Sequence, residues 1–187
     1  MLRLLPGLTV MAPADEMEVR GAVKAGLEQP HPVYIRIGKK GEPVVHQNEP
    51  EFVIGKAIVV REGTEICLLS SGTMLPIAVE AATKLGYAGR SVRVVSFHTI
   101  KPLDAEMLSD VFARFALVAT IEEHSVLGGL GGAVAEWRAD HPEAKARLLR
   151  FGTRDEFLHQ TCEQEEAREH FGLTPNGIAE QVRRQLA

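Results

Sequence analysis

Several residue groups in this sequence have the types and spacing to do chemistry. Arg36, Lys39 and Lys40 stand together after a β-prone run. A guanidinium can grip a phosphate through a two-pronged fork, and an ammonium can hold it as a point charge. Composition alone equally allows a solvated strand end. His98 and His124 each follow an apolar run that reads as a parallel strand, at the sheet edge where doubly wound folds hold ligands. Imidazole titrates near neutrality, so both could move protons. With no nucleophile or carboxylate shown beside them, hydrogen-bonded structural histidines are the simpler expectation. His159 and Cys162, three residues apart, could share a helix face, but two ligands do not make a zinc site, and no metal is assigned to this chain.

Two glycine-containing turns could hold an anion. Gly128-Gly129-Leu130-Gly131-Gly132 lies between a strand pattern and a helix pattern, where backbone N–H groups could cradle a phosphate. The dinucleotide fingerprint fails, because Val134 stands at the third glycine position counted from Gly129. Close packing of helix on strand, or on a partner subunit, is the expectation instead. Ser70-Ser71-Gly72-Thr73 also joins a strand to a helix, with Thr73 as the expected cap and Pro76 tolerated in the first turn.

Positioning such groups requires a packed scaffold, and the composition supplies one. The chain has 187 residues, 45% hydrophobic and 25% charged, enough for one α/β domain plus part of another. Its formal net charge is -4, with no long basic cluster, which argues against duplex nucleic acid or an anionic membrane as partner. Apolar runs break too soon to span a bilayer, and the start lacks a signal-peptide pattern. A cytoplasmic protein is expected. Cys67 and Cys162 are the two cysteines, expected as free thiols, and no CxxC or HExxH pattern occurs.

The elements follow from periodicity. Leu8–Met11 reads as a strand; Asp15 and Glu18 resemble a capping box opening a helix with Val19, Val23 and Leu27 at helical spacing; Val33–Ile37 reads as a second strand. One β-α-β unit leaves a sheet face and both edges bare, and parallel sheets are normally covered on both faces. The first forty or so residues therefore look like the end of a domain whose beginning lies elsewhere. Gly38 to about Pro50 is polar and aperiodic, an interdomain linker. Strands are then expected at Ala57–Val60, Glu65–Leu69, Ser91–Phe97, Leu117–Ile121 and Ala146–Phe151. Helices are expected at Thr73–Gly86, Asp104–Phe115 and Gly128–Ala139. Two C-terminal helices follow, one opened by Thr161 with Gln164 and one by Thr174-Pro175 with Ile178, Val182 and Leu186. The alternation predicts an α/β fold with a doubly wound, mainly parallel sheet, preceded by the partial β-α-β segment.

In this order, the segments "LPGLTVMAPADEMEVRGAV" and "PVYIRIGKKG" resemble the end of the pyrimidine-binding domain of transketolases. "IGKAIVVREGTEICLLSSGTMLPIAVEAA", "FHTIKPLD" and "IEEHSVLGGLGGAVAE" resemble the transketolase C-terminal domain. The resemblance implies residues 1–41 as a remnant of the pyrimidine-binding domain, 42–52 as linker and 53–187 as the C-terminal domain. It implies a complete enzyme that uses thiamine diphosphate and a divalent metal such as Mg, attacking a ketose carbonyl with the thiamine ylid to move a two-carbon ketol unit between sugar phosphates. It points to Arg36 and Lys39 for the substrate phosphate, with Lys39 where relatives often carry arginine. The family's Gly-Asp-Gly motif and the glutamate that activates the pyrimidine ring are at no matching position. The chain alone is thus expected to bind no cofactor, to be inactive, and to serve assembly with an N-terminal section or subunit as a homo- or hetero-oligomer.

A 1-deoxy-D-xylulose 5-phosphate synthase shares the domain plan and also resembles "PVYIRIGKKG", while "IEEHSVLGGLGGAVAE" tilts the resemblance toward transketolase sections. From another class, a noncatalytic dimerisation or partner-binding module fits the same residues. A nicotinamide-binding domain is disfavoured by the failed fingerprint. The bare β-α-β surface predicts that the chain expressed alone associates or is poorly soluble. Sedimentation analysis checks this, and a stable monodisperse monomer would contradict it.

Overall fold

The computed structural model describes residues 2–39, 41–159 and 161–186. Its core is a five-stranded sheet in the order β3-β5-β4-β7-β8, formed by β3 (Ile58–Arg61), β4 (Ile66–Ser70), β5 (Val92–Ser96), β7 (Leu117–Ser125) and β8 (Arg147–Thr153). All pairs are parallel except β3 with β5. The expected doubly wound, mainly parallel architecture is present. From β4 the chain passes through α2 (Leu75–Tyr87) to β5 on one side, then through α3 (Ala105–Arg114) to β7 on the other. The crevice at the carboxyl ends of β4 and β7 is therefore the topological switch point.

Side-chain alternation along the strands feeds two cores. Ile66 and Leu68 of β4 face α2 and α6 (Pro175–Leu186), with Leu75, Leu85, Ile178 and Val182. Cys67 and Leu69 face α3 and α4 (Leu130–Asp140), with Leu108, Phe112, Leu130 and Val134. Burial raises the Cys67 thiol to about 12, which makes it an inert core group. Helix α6 starts as expected: the Gly177 N–H donates to Thr174 Oγ1 at 3.1 Å and Pro175 opens the first turn.

The first segment holds β1 (Thr9–Met11), α1 (Glu16–Leu27) and β2 (Val33–Ile35), with β1 and β2 parallel. The sequence anticipates both edges of this unit as bare, yet β6 (Thr99–Lys101) pairs antiparallel with β1, giving the order β2-β1-β6. A three-residue strand directly after another strand carries too little periodicity to be read from sequence. Among the described residues, β2 and β6 are thus the outer strands of the small sheet, and β1 is its centre. The α1 stripe is also rotated from its expected orientation: Glu18 and Ala22 are buried, whereas Val23 is 42% and Leu27 84% exposed.

Three local expectations are corrected. Thr73 does not cap α2; it lies in a short 3-10 turn, Gly72–Met74, and its hydroxyl donates to Glu123. Helix α5 (Gln164–His170) is capped by Glu163 rather than Thr161, and the Glu163 N–H donates to Glu166. Strand β7 runs four residues past Ile121, so Glu122, Glu123 and His124 belong to the strand.

In the turn between β3 and β4, the buried Gly63 lies directly on the backbone of β5. A methyl group on Gly63 would stand 2.2 Å from the Val92 carbonyl carbon and 2.3 Å from the Arg93 nitrogen. A neighbouring main chain cannot rotate aside as a side chain would. Gly63→Ala is expected to destabilise the fold by about 1–3 kcal/mol, read from the urea midpoint; an unchanged midpoint would show that the turn is not held against β5.

Candidate functional site

The site begins with the backbone that brings the two sheets together. The Ala12 N–H donates to the His98 carbonyl at 2.7 Å, and the Ala12 carbonyl accepts from the Gly72 N–H at 2.9 Å. Gly72 sits at φ +58°, a conformation that favours glycine. One residue earlier, the Met11 carbonyl accepts from the Arg36 N–H at 2.8 Å. The end of β2 is thereby carried to the switch point of the large sheet.

Two adjoining crevices result. One, of about 220 Å³, is lined by Arg36, Lys39, Glu42, Ser71, Thr73 and Glu123. The second, of about 320 Å³, shares Arg36 and is bordered by Tyr34, Ile100, Glu122, His124 and Leu130. Arg36 and Lys39 thus face one cavity, both exposed at its mouth. Lys40 lies outside the described residues. One Arg36 nitrogen donates to the Glu123 carbonyl at 3.0 Å, which fixes the guanidinium over the tip of β7.

Glu122 and Glu123 went unrecognised as site residues in the sequence, although adjacent acids at a strand end must point to opposite faces. Glu122 is 3% exposed. Its carboxylate accepts from the Leu130 and Gly131 N–H groups at 2.8 and 2.7 Å. Burial raises its pKa despite those two bonds. Glu123 accepts from Arg168 at 2.8 Å, from Gln164 at 2.8 and 3.0 Å, and from Thr73 at 3.1 Å. Burial works against its charge, but the bonds from Gln164, Arg168 and Thr73 outweigh it and hold the carboxyl below its ordinary value.

The two candidate histidines differ in setting. His98 is fully buried, stacks on Phe52 with ring centroids 3.9 Å apart, and has Nδ1 3.0 Å from the Thr99 hydroxyl. Burial lowers its pKa. It packs the seam between the two parts of the chain. His124 has a 45% exposed side chain bordering the larger crevice, with Nδ1 2.8 Å from the Ser125 carbonyl and 4.0 Å from Glu122. His159 and Cys162 border neither crevice.

With this geometry in place, comparison with known proteins is decisive. Residues 55–178 match the family described as Transketolase, C-terminal domain. The chain belongs to the transketolase family. It is 34% identical over 95% of its length to a subunit of the apulose-4-phosphate transketolase of Phocaeicola vulgatus, and covers 56% of that subunit. It is 36% identical over 97% of its length to a 1-deoxy-D-xylulose-5-phosphate synthase of Rippkaea orientalis, covering 29% of that protein. A solved structure described as a split-gene transketolase, an inactive beta4 tetramer, matches with a TM-score of 0.87 at 34% identity, over 98% of this chain and 58% of the other. The chain thus spans about half the length, or less, of these relatives. Among the described residues no helix is long and apolar enough to cross a membrane.

In this transketolase section, the loop carrying Lys39 runs into a segment pinned to α1. Asp15 Oδ2 accepts from the Val45 and His46 N–H groups at 2.9 and 3.0 Å, while Oδ1 caps α1 at the Met17 and Glu18 N–H groups. Glu18 accepts from the Ala14 N–H at 2.7 Å and pairs with His46 Nε2 at 2.9 Å. The His46 and Glu18 side chains are 8% and 0% exposed. The hydrogen bond to Glu18 raises the His46 pKa, against the effect of burial. A raised folded-state value means the pair contributes fully below the ordinary histidine pKa and loses that contribution as pH climbs through the raised one. Between about pH 6 and pH 9 the protein should therefore lose more unfolding free energy than His46→Gln does. Urea denaturation across this range checks it, and parallel pH profiles would refute the assignment.

Proposed function

We propose that this chain works as the C-terminal section of a thiamine-diphosphate-dependent transferase that moves a two-carbon ketol unit between sugar phosphates. In this reading residues 1–41 complete a pyrimidine-binding domain, 42–52 form the linker and 53–187 the C-terminal domain. An N-terminal section or subunit joins it in a homo- or hetero-oligomer in the cytoplasm, and the chain is inactive alone. Arg36 and Lys39 bind the substrate phosphate. The observation that carries this is their convergence on one crevice at the switch point, in a chain of the transketolase family.

The cofactor supplies the carbanion chemistry when bound, and the residues of this chain do not fit its diphosphate and Mg. A hard divalent ion needs a cluster of free oxygen ligands. Among the described residues no three of His, Cys, Asp or Glu form such a group. The buried carboxylates, and the half-buried Glu123 with them, are already engaged: Asp15 and Glu18 with backbone N–H groups and His46, Asp104 with the Ala57 and Met107 N–H groups, Glu122 with α4, and Glu123 with Thr73, Gln164 and Arg168. Those ligands belong to the partner section. What this chain offers is orientation. Arg36 is held by the Glu123 carbonyl, which leaves its remaining donors for a phosphate, and Lys39 adds a second cation beside it.

The 36% identity to a 1-deoxy-D-xylulose-5-phosphate synthase supports a second reading, condensation of pyruvate with a sugar phosphate and loss of carbon dioxide. Reconstitution separates the two. The chain is mixed with an N-terminal transketolase section, thiamine diphosphate and Mg, and assayed for ketol transfer and for pyruvate-dependent release of carbon dioxide. Ketol transfer is expected, and Arg36→Ala is expected to raise KM for the phosphorylated substrate about tenfold or more by removing a charge-assisted bond. Carbon dioxide release would select the synthase, and an inert mixture with every such partner would refute the enzyme assignment.

A further inference from the structure

The start of α4 has the make-up of an anion cradle. Gly129 caps the helix, and the Leu130 and Gly131 N–H groups belong to the first turn, where no intrahelical acceptor exists. The helix dipole adds positive potential there. The cradle holds an anion already. Both Glu122 oxygens are bonded in it, at 2.8 and 2.7 Å. A methyl group on Gly129 would stand 1.8 Å from Glu122 Oε2, and one on Gly131 would stand 3.0 Å from Oε1. The glycines are thus required by the carboxylate. A further polar group faces the same spot: Thr120 is fully buried, its hydroxyl has no partner among the described residues, and it lies 2.8 Å from the modified Gly131 position.

Burying a carboxylate is costly unless its oxygens are bonded. An apolar residue at position 122 would avoid that cost, but would leave the cradle's donors facing the crevice that Arg36 also borders. A sugar phosphate would then meet an anion-binding group at each end. We propose that Glu122 is the resident anion of the α4 cradle, and that its carboxylate closes the cradle to phosphate so that an anionic ligand is directed to Arg36. The direction toward Arg36 rests on the phosphate role proposed above; the occupancy of the cradle does not.

The test uses the full chain with Glu122→Ala, which deletes a fragment the size of acetate. Acetate, compared with chloride at equal ionic strength, is expected to raise the melting temperature of this variant by about 5 °C or more at saturation. The unmodified chain is expected to respond no more to acetate than to chloride. Inorganic phosphate should likewise stabilise Glu122→Ala, and should still do so when Arg36→Ala is added. Equal acetate responses in variant and unmodified chain would overturn the resident anion. A phosphate response that vanishes in the double variant would overturn the closure. If Glu122→Ala does not fold in chloride, its refolding yield is measured in acetate and in chloride, and equal yields overturn the proposal. Separately, a phosphate response of the unmodified chain that is undiminished when Arg36→Ala and Lys39→Ala are combined would refute the phosphate role of that pair and leave the acetate result standing.

Discussion

The hydrogen bonds made by the two peptide groups of Ala12 determine where everything else in the site lies. Its N–H meets the His98 carbonyl after β5, and its carbonyl meets the Gly72 N–H after β4. These bonds join the end of one sheet to the carboxyl edge of another. Together with the pairing of β1 on β6 and the bond from Arg36 to the Glu123 carbonyl, they fix the strand leading to Arg36 relative to β7 and so place both crevices. Each bond contributes about 1 kcal/mol in net terms, but leaving a buried peptide group unpaired costs more than that. The seam is therefore held mainly by the penalty for opening it. Phe52 closes it from the side by stacking on His98 and filling the space that a side chain on Gly21 would need.

On that frame, the tip of β7 acts as a brace. Successive residues of a strand point to opposite faces. Glu122 accordingly reaches into α4, while Glu123 reaches across to the turn before α2 and to α5. Burial works against the charge of both carboxylates, more heavily on the buried Glu122 than on the half-buried Glu123. Glu123 has a cationic partner in Arg168 and is held ionised; Glu122 has two backbone donors, and its pKa rises. Two neighbouring acids thus sit in unequal electrostatic settings within one strand, and the carbonyl between their side chains and His124 orients Arg36.

The regular elements of this architecture could be read from sequence because each carries a repeated signal. Strands β4, β5, β7 and β8 and helices α2, α3 and α6 follow apolar periodicity, and Thr174-Pro175 marks a helix start in two residues. What escaped reading lacks repetition. Strand β6 is three residues long, and its pairing with β1 is set by tertiary docking. The outward turn of Val23 and Leu27 could not be seen because the buried Glu18 and Ala22 contribute little to an apolar pattern. Thr73 looked like a cap by type and position, and a long-range acceptor, Glu123, claimed its hydroxyl. The cluster of Arg36 and Lys39 was legible from residue type. The acids beside it were not, since nothing local distinguishes a strand-end glutamate that binds a helix from one that meets solvent.

A joint built from peptide groups also bears on how such a protein drifts over generations. The contacts at Ala12 use atoms that every residue except proline possesses, so substitutions along the seam can accumulate while the docking persists. The requirement there is one of backbone conformation, the positive φ of Gly72 above all. The brace at β7 is the opposite case, because a carboxylate fitted between two glycines cannot change unless its neighbours change with it. One half of the site is free to diverge in identity, and the other is bound to diverge, if at all, as a set.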